Sequence, residues 1–243
     1  MHPVPIPANA QEPLVAYYRS GDAIRSRSVG AEVLAGVLSI PAPSRHLLAD
    51  WAREASQQLA LEPGDVEPLN LPRARLRWPD YRQCVQAVTD WTRAIGLQEV
   101  LASGEQALMA CRGARYHLDA ERYGANAFCN LFVSADQGLD LHFPALGRRI
   151  PLDRGTVVVF DTGQPHGVVD RHAPGFSADD FPDTRDRTAV FLTWELPIED
   201  AALAQALGTR FDVDAATAAR LTESQVLHHG VRRELCPESG RWR

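Results

Sequence analysis

The sequence predicts a mainly β protein, built on a β-sandwich or barrel with flanking helices. Between about residues 105 and 196, short β-rich runs alternate with turn residues at the spacing typical of such cores. The segments on either side carry the apolar spacing of amphipathic helices. The chain has 243 residues, 45% of them hydrophobic, which is enough for one sizeable core. We therefore expect a single domain with a mostly helical part (1–104), a β core (105–196) and a helical C-terminal tail (197–243).

The N-terminal part contains two predicted helices. Ser44 is a suitable cap for a helix that runs to about Leu61 with its apolar residues on one face. A second helix is expected from about Pro79, with Gly96 as its stop signal. The segment between them, VEPLNLPRARLRW, alternates and contains proline, so it is predicted to be extended or an edge strand.

Seven runs are predicted to form the strands of the core: QALMACR, ANAFCNLFVS, LDLHF, RRIPL, GTVVVFD, HGVV and RTAVFLTWEL. After them, EDAALAQAL and AATAARLTESQVL have helical character. The polar end CPESGRWR has no predicted role beyond folding back over a site or mediating contacts.

Composition excludes several classes of function. The net charge of −6 gives no support to a nucleic-acid partner. No apolar run approaches the roughly 20 residues that span a bilayer, and MHPVPIPANAQEP does not resemble a signal peptide, so we expect a cytoplasmic protein with no membrane partner. The four cysteines are far apart, which indicates neither a zinc knuckle nor a disulfide framework. The oligomeric state is left open.

Three residues are the candidate metal ligands. His117 and Asp119 are one residue apart, and on a strand such positions point to the same face. His166 follows the run GTVVVFD. Two imidazoles and one carboxylate on one side of a metal are the facial triad of non-haem iron(II) oxygenases, which leaves neighbouring coordination positions open. The HxD pattern alone is common by chance, so the surrounding motifs matter.

Those motifs resemble the 2-oxoglutarate/Fe(II) dioxygenase superfamily over roughly residues 109–196. In order, they are HLD at 117–119, the strand ANAFCNLFVS, QGLDLHFP at 137–144, PLDRGTVVVFD at 151–161, HGV at 166–168 and RTAVFLTW at 187–194. The resemblance implies a double-stranded β-helix, a jelly roll of two face-to-face sheets. It also implies iron(II) held by His117, Asp119 and His166, with 2-oxoglutarate and dioxygen as co-substrates.

The resemblance also implies a cation for the far carboxylate of 2-oxoglutarate. Arg187 stands at the matching position, and Arg185 on the same face is a rival. The small hydroxyl residue that the family keeps two positions later is Ala189 here. Asn130 shares a strand face with two phenylalanines. That face either contacts the co-substrate and the metal ligands or points to solvent.

With Asp119 present, the resemblance favours hydroxylation or desaturation over halogenation, which needs the carboxylate position free. We expect a small-molecule substrate such as an amino acid or a derivative, with the 171–186 loop as a candidate lid. Hydroxylation of a protein side chain, which predicts an open groove above the iron, stays open. So does a non-catalytic or other-metal cupin-like module, in which His142 is a weaker candidate ligand. Demethylation of nucleic acid is disfavoured by the net charge.

Overall fold

The computed structural model describes residues 14–102 and 104–243. Its strands are β1 (Leu14–Ser20), β2 (Ala23–Ser28), β3 (Leu34–Val37), β4 (Val66–Leu69), β5 (Gln106–Cys111), β6 (Ala114–His117), β7 (Asn126–Phe132), β8 (Leu139–Phe143), β9 (Arg148–Pro151), β10 (Thr156–Asp161), β11 (His166–Asp170), β12 (Ala189–Pro197) and β13 (Gln225–His228). Its α-helices are α1 (Arg45–Arg53), α2 (Leu71–Arg77), α3 (Tyr81–Ala94), α4 (Ala120–Tyr123), α5 (Ala201–Leu207) and α6 (Ala215–Ala218).

Two antiparallel sheets form the core. The six-stranded sheet has the order β3-β10-β7-β12-β5-β4, and the four-stranded sheet has the order β6-β11-β8-β9. From β5 to β12 the chain passes back and forth between the two sheets, which is the connectivity of a jelly roll. The core is a double-stranded β-helix, as predicted. All seven predicted core strands are present, and β6 is an additional strand that carries His117.

The alternation of side chains divides the six-stranded sheet into two faces. On β7, Phe132 belongs to the apolar cluster between the two sheets, together with Phe143 and Phe160. Cys129 and Leu131 belong to a second cluster on the outer face, which packs against the helices. Both faces of β7 are therefore buried, and each fully buried large apolar side chain contributes roughly 1.5–3 kcal/mol to folding.

The predicted helices cover that outer face. Ser44 caps α1 by accepting a hydrogen bond from the Leu47 N–H at 3.2 Å, and α1 continues into a π-helical turn over Glu54–Gln58. Trp51 on α1 packs edge-to-face on Trp78 at 5.1 Å between ring centroids. The second predicted helix is α3, and Gly96 follows it with a φ of +86°.

The segment between those helices is only partly extended. VEPL forms β4, an edge strand as predicted. The prediction is wrong for LPRARLR, which is the helix α2. The Asn70 side chain caps α2 by accepting from the Arg73 N–H at 3.0 Å, and proline occupies the first turn, where its missing N–H costs nothing.

Residues 14–37 form three strands, so a mostly helical N-terminal part is wrong for this stretch. β1 and β2 form a hairpin around Gly21, and β13 pairs with β1. β13 overlaps the end of the predicted helix AATAARLTESQVL, of which only residues 215–218 are α-helical. The two ends of the chain thus share one sheet. The predicted absence of a signal peptide concerns residues outside the described ranges. No helix in the described part of the chain is long and apolar enough to cross a bilayer.

The C-terminal CPESGRWR segment packs beside β6. The Tyr116 N–H donates to Pro237 O at 2.9 Å, and the Phe176 N–H donates to Glu238 O at 2.8 Å. The Cys236 N–H donates to Arg241 O at 2.8 Å and closes the segment into a turn. The tail therefore joins β6, which carries His117, to the loop that follows β11.

Candidate metal centre

The HxD pair lies at the end of β6. His117 is the last residue of that strand, whereas Asp119 has already left it and has helical dihedrals just before α4. The prediction that both residues share one strand face is therefore wrong. The Asp119 N–H donates to Thr162 O at 2.9 Å, which ties this turn to the segment between β10 and β11. The turn, rather than the pleat, directs the carboxylate toward His117.

His166 begins β11, and β11 pairs with β6. The antiparallel register sets His166 directly opposite His117, with 4.4 Å between the ring centroids. His166 is also in contact with the Phe160 ring, whose centroid lies 4.8 Å away. His166 is buried, whereas His117 and Asp119 are partly exposed.

The side chains converge on one point. His166 Nε2 lies 3.4 Å from Asp119 Oδ2, and His117 Nε2 lies 3.6 Å from the same oxygen. One ligand atom from each residue lies within 4.8 Å of the other two. Neighbouring ligands about 2.1 Å from a six-coordinate metal are roughly 3 Å apart, so this spacing fits a metal ion after a small contraction. The three residues form a facial triad.

Hydrogen bonds to the main chain set both imidazoles for metal binding. His117 Nδ1 lies 2.7 Å from Arg115 O, and His166 Nδ1 lies 2.9 Å from Gln164 O. A carbonyl oxygen can only accept, so each Nδ1 carries the proton and each Nε2 is left with its lone pair. This arrangement of a ligating histidine is the usual one in metal sites, because it fixes both the tautomer and the ring orientation.

The charges of the three groups are those that a divalent metal needs. Burial, and then the neighbouring His117, lower the pKa of His166 to about 4, so its imidazole is neutral. Burial opposes ionisation of Asp119, but hydrogen bonding to His117 and the two nearby imidazoles keep its pKa below the ordinary value. Burial also opposes protonation of His117, but its contact with Asp119 raises its pKa. A metal ion would replace the proton that the His117–Asp119 pair attracts.

A buried ion pair holds the loops that carry these ligands. Arg27 of β2 and Asp161 at the end of β10 are fully buried and joined by two hydrogen bonds, of 2.5 and 2.9 Å. Arg27 Nε also donates to Gly124 O at 2.9 Å, directly after α4. Asp161 accepts further hydrogen bonds from the Gly30 and Gly163 N–H groups. The pair thus links the N-terminal hairpin to both ligand-bearing turns. Sequence reasoning missed it, because AIRSRS contains two arginines, Arg25 and Arg27, and no local pattern distinguishes the buried one from the exposed one.

Asn130 points into the space between the two sheets. It pairs in register with Val158 of β10 and Thr193 of β12, and Phe132 on the same face packs into the inner cluster. Asn130 is 7% exposed, and its Oδ1 has no hydrogen-bond partner. The solvent-facing alternative is therefore wrong. A role toward the co-substrate stays a prediction, for which a buried unpartnered amide oxygen is suitable.

Arg187 is buried just before β12 and is already bound on several sides. It donates to Gln137 O, Gly138 O and Asp180 O at 2.8–3.1 Å, and its Nη2 forms an ion pair with Asp170 at 2.7 Å. Asp170 ends β11, roughly 13 Å along the strand from the metal ligand that begins it. The structure does not bring Arg187 together with the triad. Its role in binding 2-oxoglutarate stays a prediction. In that role, the Arg187 guanidinium would have to break its ion pair with Asp170 and pair with the carboxylate of the co-substrate instead.

Arg148 is a second candidate cation. It pairs in register with Phe143, and both face inward because Leu141 and Ile150, two residues along, are paired in the inner cluster. The Phe143 ring centroid is 6.1 Å from that of His166. Arg148 Nη1 donates to Val33 O at 2.5 Å, and no carboxylate in the described part of the chain forms an ion pair with it. The alternation in RRIPL could have indicated its face.

His142 lies on the opposite face of the same sheet. It pairs in register with Gly167 and Arg149, and its Nδ1 is 2.5 Å from the Tyr116 hydroxyl. His142 is therefore not part of the triad, and it instead lines a surface cleft on the outer side of β8.

No protein-family model matches the sequence, and no curated protein does either. Some solved structures are similar to this chain. A prolyl-4-hydroxylase from Pseudomonas putida is 17% identical, with 68% of this chain and 92% of that chain covered at a TM-score of 0.40. The viral collagen prolyl hydroxylase of Paramecium Bursaria Chlorella virus-1, in a complex with 2-oxoglutarate, is 8% identical, with 68% and 94% covered and a TM-score of 0.38.

The α-ketoglutarate-dependent epimerase SnoN of nogalamycin biosynthesis is also similar. It is 13% identical, with 70% of this chain and 83% of that chain covered at a TM-score of 0.33. Since these identities and TM-scores are low, the jelly-roll assignment rests on the strand order and the function on the side chains themselves.

Proposed function

We propose that this protein is a non-haem iron(II)- and 2-oxoglutarate-dependent dioxygenase that hydroxylates an unactivated C–H bond. The observation that carries the proposal is the His117, Asp119 and His166 triad, in which both imidazoles are held with Nε2 toward one point. Bound iron, with dioxygen and the keto acid, would supply the oxidising power for hydroxylation, and 2-oxoglutarate would become succinate and carbon dioxide. A facial triad suits this chemistry because it leaves room for a chelating keto acid and dioxygen.

The protein's own groups position the reactants and exclude water. Phe128, Phe143 and Phe160 pack edge-to-face beside His166 and form an apolar wall on the inner side of the triad. Asn130 lies between Phe128 and Phe132 on the inner face of β7, so it contributes a polar group to this otherwise aromatic part of the wall. Such a wall strengthens electrostatic interactions at the metal because it keeps the local dielectric low.

The far carboxylate of 2-oxoglutarate requires a cation, and two arginines compete for this role. Arg187 is the residue that the sequence pattern favours, but Asp170 already neutralises it. Arg148 has no carboxylate partner in the described residues. It faces inward, and its register partner Phe143 lies between it and His166 across the four-stranded sheet. Arg148→Ala and Arg187→Ala separate the two, since only loss of the true partner raises the keto-acid concentration needed for half-saturation.

The substrate predicted from the sequence is a small molecule such as an amino acid or a derivative. One observation favours the alternative, hydroxylation of a protein side chain. A cleft of about 1210 Å³ lies between the loop that follows β11 and the C-terminal tail and reaches Gln164, two residues before His166. Small-molecule sites occupy about 300–1,000 Å³, so this cleft is large for a free amino acid.

The proposed function is tested by titrating iron(II) and then 2-oxoglutarate into the metal-free protein without oxygen. We expect the weak visible charge-transfer band of a chelated keto acid in the wild type and no band in Asp119→Ala. Asp90→Ala, which removes an exposed carboxylate on α3, is the matched control and should behave as wild type. A wild-type protein without the band at saturating reagents would overturn the proposal in favour of a non-catalytic or other-metal jelly roll.

A further inference from the structure

Glu195 lies on the inner face of the six-stranded sheet, near the end of β12. Leu192, Trp194 and Leu196 pack into the outer cluster, so the residues that alternate with them face the inside of the jelly roll. Phe191, deeper on that inner face, is buried, whereas Glu195 is partly exposed. The inner face of β12 therefore opens to solvent toward the end of the strand.

This end of β12 is the end at which the triad lies. Glu195 pairs in register with Phe128 of β7, and β7 begins directly beyond α4, the helix that follows Asp119. The Phe128 ring packs edge-to-face on Phe160 at 6.0 Å between centroids, and the Phe160 centroid lies 4.8 Å from that of His166. Glu195 therefore lies at the mouth of the barrel, where two aromatic rings connect it to a metal ligand.

No cation forms an ion pair with the Glu195 carboxylate. Its Oε2 accepts a hydrogen bond from Asn126 Nδ2 at 2.9 Å, and no other side chain in the described part of the protein bonds to it. Two other carboxylates of the barrel, Asp161 and Asp170, are each paired with an arginine. Burial, followed by the neighbouring Glu105, raises the pKa of Glu195. The carboxylate is thus a partly buried anion that lacks a paired cation.

Few charges act on Glu195. Glu105 is exposed and adjacent, since the Glu195 N–H donates to Glu105 O at 3.0 Å. Arg122, which is also exposed, is the one cation in the described residues that acts electrostatically on Glu195. Its guanidinium lies over the Tyr123 ring, 5.1 Å from the centroid, and forms no ion pair with either glutamate. Two carboxylates and one guanidinium leave the mouth beside β12 with a net negative charge.

A second observation indicates that a ligand completes this lining. In the next row of the inner face, Thr193 pairs in register with Asn130. Asn130 is 7% exposed, and its Oδ1 has no hydrogen-bond partner. A buried polar atom without a partner is unusual in a folded protein. Two successive rows thus offer acceptors without a cation, and Glu195 is the row that solvent reaches.

The surroundings of Glu195 favour an organic cation over a metal ion. The triad is the only group of three metal-ligating side chains in the residues that the structure describes, so Glu195 lacks the partners of a metal site. The Phe128 ring beside it is partly exposed, and an ammonium group is attracted both to a carboxylate and to an aromatic face. A charged N–H donor also forms a hydrogen bond roughly twice as strong as a neutral donor does.

We propose that Glu195 binds a protonated amine of the substrate at the mouth of the barrel and makes this protein selective for amines. The inference rests on the proposed function, because it assumes that the triad holds the metal at which the substrate reacts. An amine bound by Glu195 places the carbon chain of the substrate against Phe128 and Phe160, beside His166.

The test uses the cobalt(II)-loaded protein and ligands that are anchored on the metal. Hydroxamates chelate cobalt(II) and change its visible absorption, so a titration gives their dissociation constants. 6-Aminohexanohydroxamic acid and heptanohydroxamic acid have the same length, but the first ends in an ammonium group and the second in a methyl group. We expect the amine to bind the wild type about tenfold more tightly, as a charge-assisted hydrogen bond predicts. Glu195→Gln should lose this preference, whereas Glu67→Gln, at an exposed glutamate on β4, should keep it.

A charge reversal separates binding by Glu195 from an effect of misfolding. Glu195→Lys should bind the monohydroxamate of heptanedioic acid, which ends in a carboxylate, more tightly than the amine, and a misfolded protein cannot reverse the preference in this way. Equal binding of the amine and methyl ligands to the wild type, or an unchanged preference in Glu195→Gln, would overturn this inference alone. A wild-type protein that binds neither cobalt(II) nor any of these hydroxamates would overturn the proposed function and this inference with it.

Discussion

At the scale of single residues, the candidate chemistry depends on hydrogen bonds to the main chain that the sequence does not display. Arg115 O and Gln164 O each hold the Nδ1 proton of a ligand histidine. These carbonyls belong to residues two positions before each histidine, so a local turn rather than a distant partner orients each ring. Replacing Gln164 would therefore leave the tautomer of His166 unchanged, since the acceptor is in the main chain.

We expect the triad to make stability depend on a divalent metal. Cobalt(II), used as an oxygen-stable probe at about a hundredfold its dissociation constant, should stabilise the wild type by about 2.7 kcal/mol through mass action. His166→Ala should show almost no such gain, because it removes the buried ligand. Thermal unfolding with and without cobalt measures the difference. His172→Ala, in the loop after β11, is the control, and an equal metal-dependent gain in His166→Ala would contradict the triad.

Arg187 is expected to contribute to stability whether or not it binds the co-substrate. Arg187→Met keeps the aliphatic length but removes the ion pair with Asp170 and the donor to Gln137 O and Asp180 O. Gly138 O keeps its hydrogen bond from the Arg171 N–H at 2.9 Å. Breaking a buried pair by removing one partner costs about 3 kcal/mol, discounted somewhat here because Asp170 is partly exposed. Urea unfolding measures the loss. Arg185→Met, two residues earlier, should change stability by less than about 0.5 kcal/mol.

At the scale of elements, the N-terminal hairpin is bound to the two segments that carry the candidate metal ligands. Arg27 on β2 donates to Asp161, which precedes the segment that carries His166, and to Gly124 O, which follows the turn that carries Asp119. Neither β1 nor β2 belongs to the jelly roll, and they form their own sheet with β13. Because the ion pair is fully buried, it fixes the position of the hairpin relative to the turns that carry Asp119 and His166.

Arg27→Met is predicted to destabilise the protein by about 3–5 kcal/mol, since it leaves a buried carboxylate uncompensated. The double variant Arg27→Met with Asp161→Leu should recover a large part of that loss, because both charges are then absent. Urea unfolding gives the two free energies. The double variant should still bind cobalt(II) more weakly than wild type, since the turns lose their hydrogen bonds. Wild-type cobalt affinity in the double variant would show that the pair has no positioning role.

At the scale of the whole molecule, the two ends of the chain close around the jelly roll. β13 pairs with β1, and the tail bonds to Tyr116 beside the metal-binding histidine. The same tail forms one wall of the cleft. These contacts support β6 and shape the surface beside it. They join residues far apart in the sequence, 214 positions for Leu14 and His228 (228 − 14) and 121 for Tyr116 and Pro237 (237 − 116).

Removal of the residues after Val231 deletes these contacts and tests what they contribute to the stability of β6. The Tyr116 and Phe176 amides lose the acceptors Pro237 O and Glu238 O, so we expect their hydrogen exchange to accelerate by at least about tenfold. The Leu192 amide, in the middle of β12, serves as the internal control and should exchange as in the full chain. Unchanged protection at Tyr116 would show that the tail contributes nothing to holding β6.

The sequence by itself determined the features that local patterns encode. Short runs rich in β-branched and aromatic residues, bounded by turn residues, specified the strands of the core, such as GTVVVFD. The capping serine and the spacing of apolar residues specified α1 and α3. The order of His117, Asp119 and His166 among these strands indicated a metal site, because a jelly roll brings the end of one such strand beside the start of another.

The tertiary structure alone decided the features that depend on distant partners. β13 became a strand because it pairs with β1 across the length of the chain, and the sequence around β13 gives no local signal of such a distant partner. Only the packed sheets showed that Asn130 faces inward and that Arg187 is already engaged by Asp170. Strand alternation fixes which residues share a face. Both faces of β7 are buried, however, so no difference in polarity shows from the sequence which face lies between the two sheets and which packs against the helices.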